Sequence, residues 1–325
     1  MSQEVKESMH KHDVVVHSDF GAETVRVPIM KPENIGKHMA IDEKQIGEEM
    51  HTIVSNRETG KIAVMARSLN AEELQKVVSS VKGKTNQIET VTRDMSATFK
   101  KFCNDNFFNA SHIADKFHII SSLLEACQNV RVRYRQDALR EKRLQYQEHK
   151  RKEKERKRIC TEQGQLYQPI EFSHAEETIA NGESTLEALA RSRYLLFKYK
   201  KDWTIKQARR AMALFGKYPE IEKAYDLACS FRNIMKKENI GKDIITLKKS
   251  FLQWFDSVEQ CAIDELLNFK SMIERDMIAV LNYFRFGATN AIAENINSKI
   301  QRFIMINQGT RDREFFYFRV DKYFS

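Results

Sequence analysis

Three acidic residues stand where solubilising charge is not needed. Glu294 lies in Thr289-Asn290-Ala291-Ile292-Ala293-Glu294-Asn295-Ile296-Asn297-Ser298-Lys299-Ile300, a stretch with helical spacing. There Ile292, Ile296, Lys299 and Ile300 make one stripe at i, i+4, i+7 and i+8. The glutamate is near that stripe rather than on a plainly solvated face. Asp42 closes the apolar run Met39-Ala40-Ile41, and Asp94 follows the strand-like Ile88-Glu89-Thr90-Val91-Thr92. Two aspartates from strands and a glutamate from a helix would bring hard anionic oxygens to one point. Such a donor set holds two Mg²⁺ or Mn²⁺ ions about 4 Å apart, one activating water or a 3′-hydroxyl, the other stabilising the leaving oxygen. The expected chemistry is cleavage and joining of phosphodiesters. Asp115 is a rival for the second acid, because it too ends a strand. His118 reads either as a ligand or proton-transfer group, or as a buried structural histidine. Glu43, next to Asp42, should point to the opposite face of its strand.

These acids need a sheet and a helix to carry them. After Met39–Asp42 come Met50-His51-Thr52-Ile53-Val54, the Gly-bearing turn Asn56–Gly60, and Lys61–Ala66, which predict a hairpin. Ala71 to Ser80 has helical composition, Ser96 to Cys103 is a helix with Ser96 as N-cap, and Ile113-Ala114 is a short strand ending at Asp115. The order is three strands, helix, strand, helix, strand, helix, which is the order of the ribonuclease H-like fold. From Phe117 to about Gln163 there is no Gly or Pro, so one long helix is expected. Residues 170 to 280 remain mostly helical, with breaks at Asn181-Gly182, Gly216 to Pro219 and Gly241. After the helix of Glu294 come a turn at Asn307-Gln308-Gly309 and an aromatic run, Phe315 to Phe318. That run, with Trp203 and Trp254, reads as core packing.

The chain has 325 residues, 11 Gly and 4 Pro, which favours long helices and argues against an all-β fold. No run is long and apolar enough for a membrane span, and the start lacks the apolar core of a signal peptide, so a cytoplasmic protein is expected. Five scattered cysteines without a C-x-x-C pair exclude a disulfide framework and a zinc ribbon. The net charge of +9 is concentrated between Arg131 and Arg158, where 13 Lys or Arg face 5 Asp or Glu. A polyanion partner is one reading, with Arg151, Lys152, Lys154 and Arg156 tracking phosphates. The other is a solvated, charge-laced helix.

Several pieces together resemble transposases of the ISL-three family of bacterial insertion sequences, a group of DDE recombinases. They are Pro32 to Glu43 (PENIGKHMAIDE), Val91 to Phe99 (VTRDMSATF), Asn109 to Ile120 (NASHIADKFHII), Asn282 to Phe303 (NYFRFGATNAIAENINSKIQRF) and Gly309 to Val320 (GTRDREFFYFRV). The resemblance runs from about residue 30 to the end. It implies Asp42, Asp94 and Glu294 as the three catalytic acids and holders of two Mg²⁺ or Mn²⁺ ions. Asp115-Lys116-Phe117-His118 matches the D-x-x-H signature after the second acid, and so Asp115 and His118 would brace the site or contact DNA. The long interval between Asp94 and Glu294 matches the all-helical insertion of such enzymes. The implied fold is an α/β ribonuclease H-like core with a large all-α insertion, predominantly helical. Its expected limits are an extension at 1–36, core at 37–130, insertion at 131–280 and the last part of the core at 281–325. The zinc-binding and helix-turn-helix region usual before the core is not seen ahead of residue 36, so a separate chain could supply recognition of the element's ends.

The reading is therefore a DDE transposase acting on element ends and target DNA, as a homo-oligomer on DNA. Two others stand beside it. A catalytically inactive, transposase-derived DNA-binding protein or regulator would not need all three acids. A helical scaffold with a basic coiled coil would explain Arg131–Arg158 but not acids placed after strands.

Overall fold

The computed structural model describes residues 11–18, 21–79, 81–173, 178–288, 291–306 and 312–325. In chain order the strands and helices open with β1 (Val14–Ser18), β2 (Gly21–Val25), β3 (Ile29–Met30), β4 (His38–Ile46), β5 (Glu49–Asn56), β6 (Ile62–Ala66) and α1 (Ala71–Ser79). Next come β7 (Thr90–Arg93), α2 (Ala97–Asn106), β8 (Ser111–Ala114) and the long α3 (Lys116–Glu162). Then follow β9 (Thr178–Ala180), β10 (Glu183–Ser184), α4 (Thr185–Arg191), α5 (Ile205–Lys217), α6 (Pro219–Ile234) and α7 (Ile244–Cys261). The last are α8 (Asp264–Arg275), α9 (Met277–Phe286), α10 (Ala291–Ile306) and α11 (Arg313–Phe324). The turn expected at Asn307-Gln308-Gly309, Thr289-Asn290 and the side chain of Ile292 lie outside the described residues.

The chain divides into two compact units. The first, residues 1–120, 235–250 and 272–325, is built on a six-stranded sheet of order β3-β6-β5-β4-β7-β8. Pairing is antiparallel from β3 to β4 and parallel from β4 through β7 to β8. Two hairpins make the antiparallel half. Gly47 has φ 66° in the two-residue link between β4 and β5, and Gly60 has φ 70° between β5 and β6, a region glycine enters without a Cβ penalty. The strand expected to end at Asp42 runs on to Ile46, because β5 pairs with β4 along its whole length. The parallel partner β7 covers only His38 to Ala40. Asp42 is therefore in mid-strand, just past the end of the parallel ladder.

Strand alternation sorts the side chains into two cores. On one face Met39, Ile41, Val54 and Val91 pack with Leu74 and Val77 of α1 and Phe99 and Phe102 of α2. Ser96 caps α2, accepting from the Phe99 N–H at 3.1 Å, as the sequence predicts. On the other face Ile46, Ile53 and Met65 pack with Ile296 and Ile300 of α10 and Phe316, Tyr317 and Val320 of α11. The aromatic run thus fills core with Phe316 and Tyr317 and exposes Phe315. Within the expected stripe, Ile296 and Ile300 are buried, but Lys299 is exposed. The edge strand β8 is covered by α9, and the Asn282 amide donates to the His112 carbonyl at 2.8 Å.

The second unit, residues 121–234 and 251–271, is helical apart from the small β9–β10 pair. Tyr225, Phe231, Phe251 and Trp254 are buried in it. The buried Trp254 and the half-buried Trp203 donate their indole N–H groups to the Leu227 and Leu195 carbonyls. The buried Glu183 and Arg210 form a two-point ion pair. The distal part of α3 is mostly exposed. Many of its cations are paired within the helix: Arg151 and Lys152 with Glu148, Arg156 with Glu153, and Arg158 with Glu155. Lys154 is exposed. The extended segment after α3 returns along it, with the Tyr167 hydroxyl and the Ile170 N–H both donating to Glu153.

Candidate active site

Strand register aligns three of the acids. Ala40 pairs with Thr92 and Thr92 with Ile113, so two residues further on Asp42, Asp94 and Asp115 stand level across three neighbouring strands. Asp94 and Asp115 directly follow β7 and β8, while Asp42 shares the alternation of Ala40 and so belongs to one face of the sheet. It is the face covered by α10, since Asp42 pairs across β5 with Ile53 of that core. Glu294 is half-buried on the first turn of α10.

Asp42 is buried and its carboxylate is held from several sides. Its Oδ1 accepts from the Glu43 N–H at 2.9 Å and its Oδ2 from the Asn297 Nδ2 at 2.7 Å. Asn297 lies three residues beyond Glu294, so this bond also fixes the turn of α10 that carries the glutamate. His118 Nε2 lies 3.6 Å from Asp42 Oδ1 and 3.7 Å from Asp115 Oδ2. It is on the first turn of α3, where Asp115 Oδ1 accepts from the Phe117 N–H at 3.1 Å. The other oxygen of Asp115 is buried without a hydrogen-bond partner. Asp94 follows β7, and its Oδ1 accepts from the Ser96 N–H at 2.9 Å.

The charges act on one another. Burial pushes the Asp115 carboxyl up to about 6; the Phe117 N–H and His118 oppose this, and Glu294 and Asp42 add to it. The Asp42 carboxylate raises the His118 imidazole to about 9 against its burial, with Asp115 and Asp94 adding to it. Burial also raises the Glu43 carboxyl, helped by Asp94 and Asp42. Glu43 itself is exposed on β4. The structure thus brings Asp42, Asp115 and His118 into contact distance and sets Glu294 and Asp94 close enough to perturb them. Arg151, Lys152, Lys154 and Arg156 lie on α3 in the second unit.

The donor set suits a hard divalent cation. Asp42, Asp115 and Glu294 repel one another, one buried Asp115 oxygen has no hydrogen-bond donor, and the part-exposed His118 imidazole and Lys44 supply compensating charge. Among the described residues, no three His, Cys, Asp or Glu stand at metal-binding distances. His118 stands between Asp42 and Asp115.

Two residues of the site were missed by the sequence reading. Asn297 had a legible signal, a polar side chain one turn from the acid on an apolar helix. The other, Arg93, had none: it is fully buried beside Asp94 and pairs with Asp276 at 2.6 Å. Its Nη1 donates to the Asp94 carbonyl at 2.8 Å, which anchors the strand end that carries the acid.

A family model described as a transposase, of the ISL-three group of DDE enzymes, matches residues 39–320. No curated protein matches the chain.

Proposed function

The chain belongs to the ISL-three family of transposases, and on that premise we propose that it catalyses metal-dependent DNA strand cleavage and strand transfer of an insertion sequence. The sheet order, with acids level on its parallel strands and another on the helix across that face, supports a ribonuclease H-like core with a helical insertion. Asp42, Asp94 and Glu294 are the proposed ligands of two Mg²⁺ or Mn²⁺ ions. Bound there, the ions would activate the attacking oxygen and stabilise the leaving one. Asn297 and the Glu43 N–H orient Asp42. His118, cationic at neutral pH, offsets acid repulsion before an ion binds. The observation that carries the reading is that Asp42 and Asp115 both face His118, with Glu294 near enough to act on Asp115 and Asp94 near enough to act on His118. The alternative is a catalytically inactive, transposase-derived DNA-binding protein or regulator.

A second assignment has its own support: Asp115, rather than Asp94, feels both Asp42 and Glu294, which would make it the second ligand. Mn²⁺ titration calorimetry on Asp42→Asn, Asp94→Asn, Asp115→Asn and Glu294→Gln variants separates the two. The first, second and fourth should lose most Mn²⁺ affinity while remaining folded; retained affinity in Asp94→Asn with loss in Asp115→Asn would exchange their roles. Strand joining on DNA carrying the element's ends, with an end-recognition partner chain where one exists, should vanish in Glu294→Gln, because an amide is a poor ligand for a hard cation. Inactivity of the unaltered chain under the same conditions would favour the regulator.

A further inference from the structure

Resting on that reading, we propose that Lys44, Ser298, Gln301 and Arg302 form a phosphate-binding subsite that holds the DNA backbone beside the phosphate that reacts. A hollow of about 630 Å³ is lined by these residues and Asn297. It starts where the acid site ends, because the Asn297 amide that helps line it also holds Asp42. Lys44 is two residues past Asp42 on β4 and so shares its face. Arg302 is eight residues past Glu294 on α10, about two turns along the helix. Neither Lys44 nor Arg302 forms an ion pair among the described residues, although Lys44 feels the Asp42 carboxylate; Arg151, Lys152, Arg156 and Arg158 of α3, by contrast, pair with acids three or four residues away. Two cations with no ion pair of their own, beside a surplus of acids, fit an external anion continuous with whatever the acids hold. The Ser298 hydroxyl and Gln301 amide add neutral donors of the kind that bind phosphate oxygens. Met305 and Ile306, 71% and 69% exposed, give the rim an apolar surface for sugar or base. A DNA strand has this combination of chemistry, with negative charge at each nucleotide and an apolar base face between.

The test uses the full chain and a dye-labelled duplex of arbitrary sequence with a recessed 3′ end. Arg302→Gln alone, and with Lys44→Gln, should weaken binding about ten-fold or more. The slope of log affinity against log salt should become shallower by about 0.9 for each lost phosphate contact. Mn²⁺ affinity of the free protein should not change in the Arg302→Gln single variant. Lys61→Gln, an exposed cation in the β5–β6 turn, serves as the control and should leave the slope as it was. An unchanged slope in the Arg302 variants overturns the subsite, as does an equal loss in the Lys61 control, which would mean net charge alone. Arg302 is exposed, so its single variant keeps the test valid if the Lys44 change impairs folding. Failure of the unaltered chain to bind Mn²⁺ would instead sink the catalytic reading, a separate result from the DNA slope.

Discussion

A buried carboxylate with one oxygen that accepts no hydrogen bond, facing other acids, costs the fold stability, and Asp115 is in that position. Its carboxyl is raised from 3.8 to about 6 by burial first and by acid neighbours second. A raised carboxyl contributes stability that is present below its unfolded value and is lost as pH rises through its folded value. The loss therefore runs from about pH 4 to pH 6 and is complete above that. Asp115→Asn should be more stable than the unaltered chain at pH 7 to 8 without divalent metal, by on the order of 1–2 kcal/mol. The full shift is not recovered, because His118 loses a neighbouring charge. At pH 4 the two proteins should melt together. Thermal unfolding across pH in a chelating buffer reads this out, and a pH-independent difference would count against the electrostatic cause.

At the scale of elements, two buried contacts dock helices to the sheet of the first unit. His51 on β5 is fully buried, its Nε2 2.7 Å from the Tyr317 hydroxyl on α11, and burial lowers it to about 4. A depressed histidine supplies stability that is present above about 6.5 and is lost as pH falls toward 4. The unaltered chain should lose on the order of 3 kcal/mol across that window. His51→Gln, which keeps a polar partner for Tyr317 but cannot titrate, should flatten that stretch of the denaturation curve. The second contact is the Arg93–Asp276 pair, which ties the end of β7 to the start of α9. Asp276→Ala would strand a buried guanidinium and should cost about 3 kcal/mol or more. It should also weaken Mn²⁺ binding, because Asp94 follows the anchored residue. Urea unfolding and calorimetry check the two effects, and a stable variant with intact metal affinity would remove Arg93 from the site's support.

At the scale of the whole molecule, the charge is unevenly distributed. The distal part of α3 is exposed and carries most of the net +9, although Glu148, Glu153 and Glu155 neutralise part of it locally. Replacing Arg151, Lys152, Lys154 and Arg156 with Gln should weaken binding to unrelated DNA sequences about equally. The salt slope should fall by up to about 0.9 for each phosphate contact removed. Because Arg151, Lys152 and Arg156 already have intrahelical partners, Lys154→Gln should account for a larger share than one quarter. An unchanged slope would make this a solvated helix. The helical unit itself departs from the expected 131–280 insertion: it comprises residues 121–234 and 251–271, while 235–250 and 272–280 belong with the sheet.

Local signals carried much of this protein. Alternating apolar runs around Gly60, the Ser96 cap, the Gly- and Pro-free stretch of α3 and the acids after β7 and β8 are legible because each depends on a few neighbouring residues. The order of the strands and of the acids that follow them is likewise local and legible in the sequence. Tertiary pairing decided the rest. Asp42 lies in mid-strand rather than at a strand end, because β5 extends β4 beyond where β7 stops. Lys299 is solvated although its spacing joined it to the isoleucine stripe, since a helix face is narrower than a list of i+4 and i+7 positions suggests. The Asn297–Asp42 bond spans 255 residues and the Arg93–Asp276 pair 183, and no local pattern can encode a partner that distant. Whether a carboxylate oxygen is buried without a hydrogen-bond donor, as Asp115 Oδ2 is, depends on everything packed around it, which only the folded chain determines.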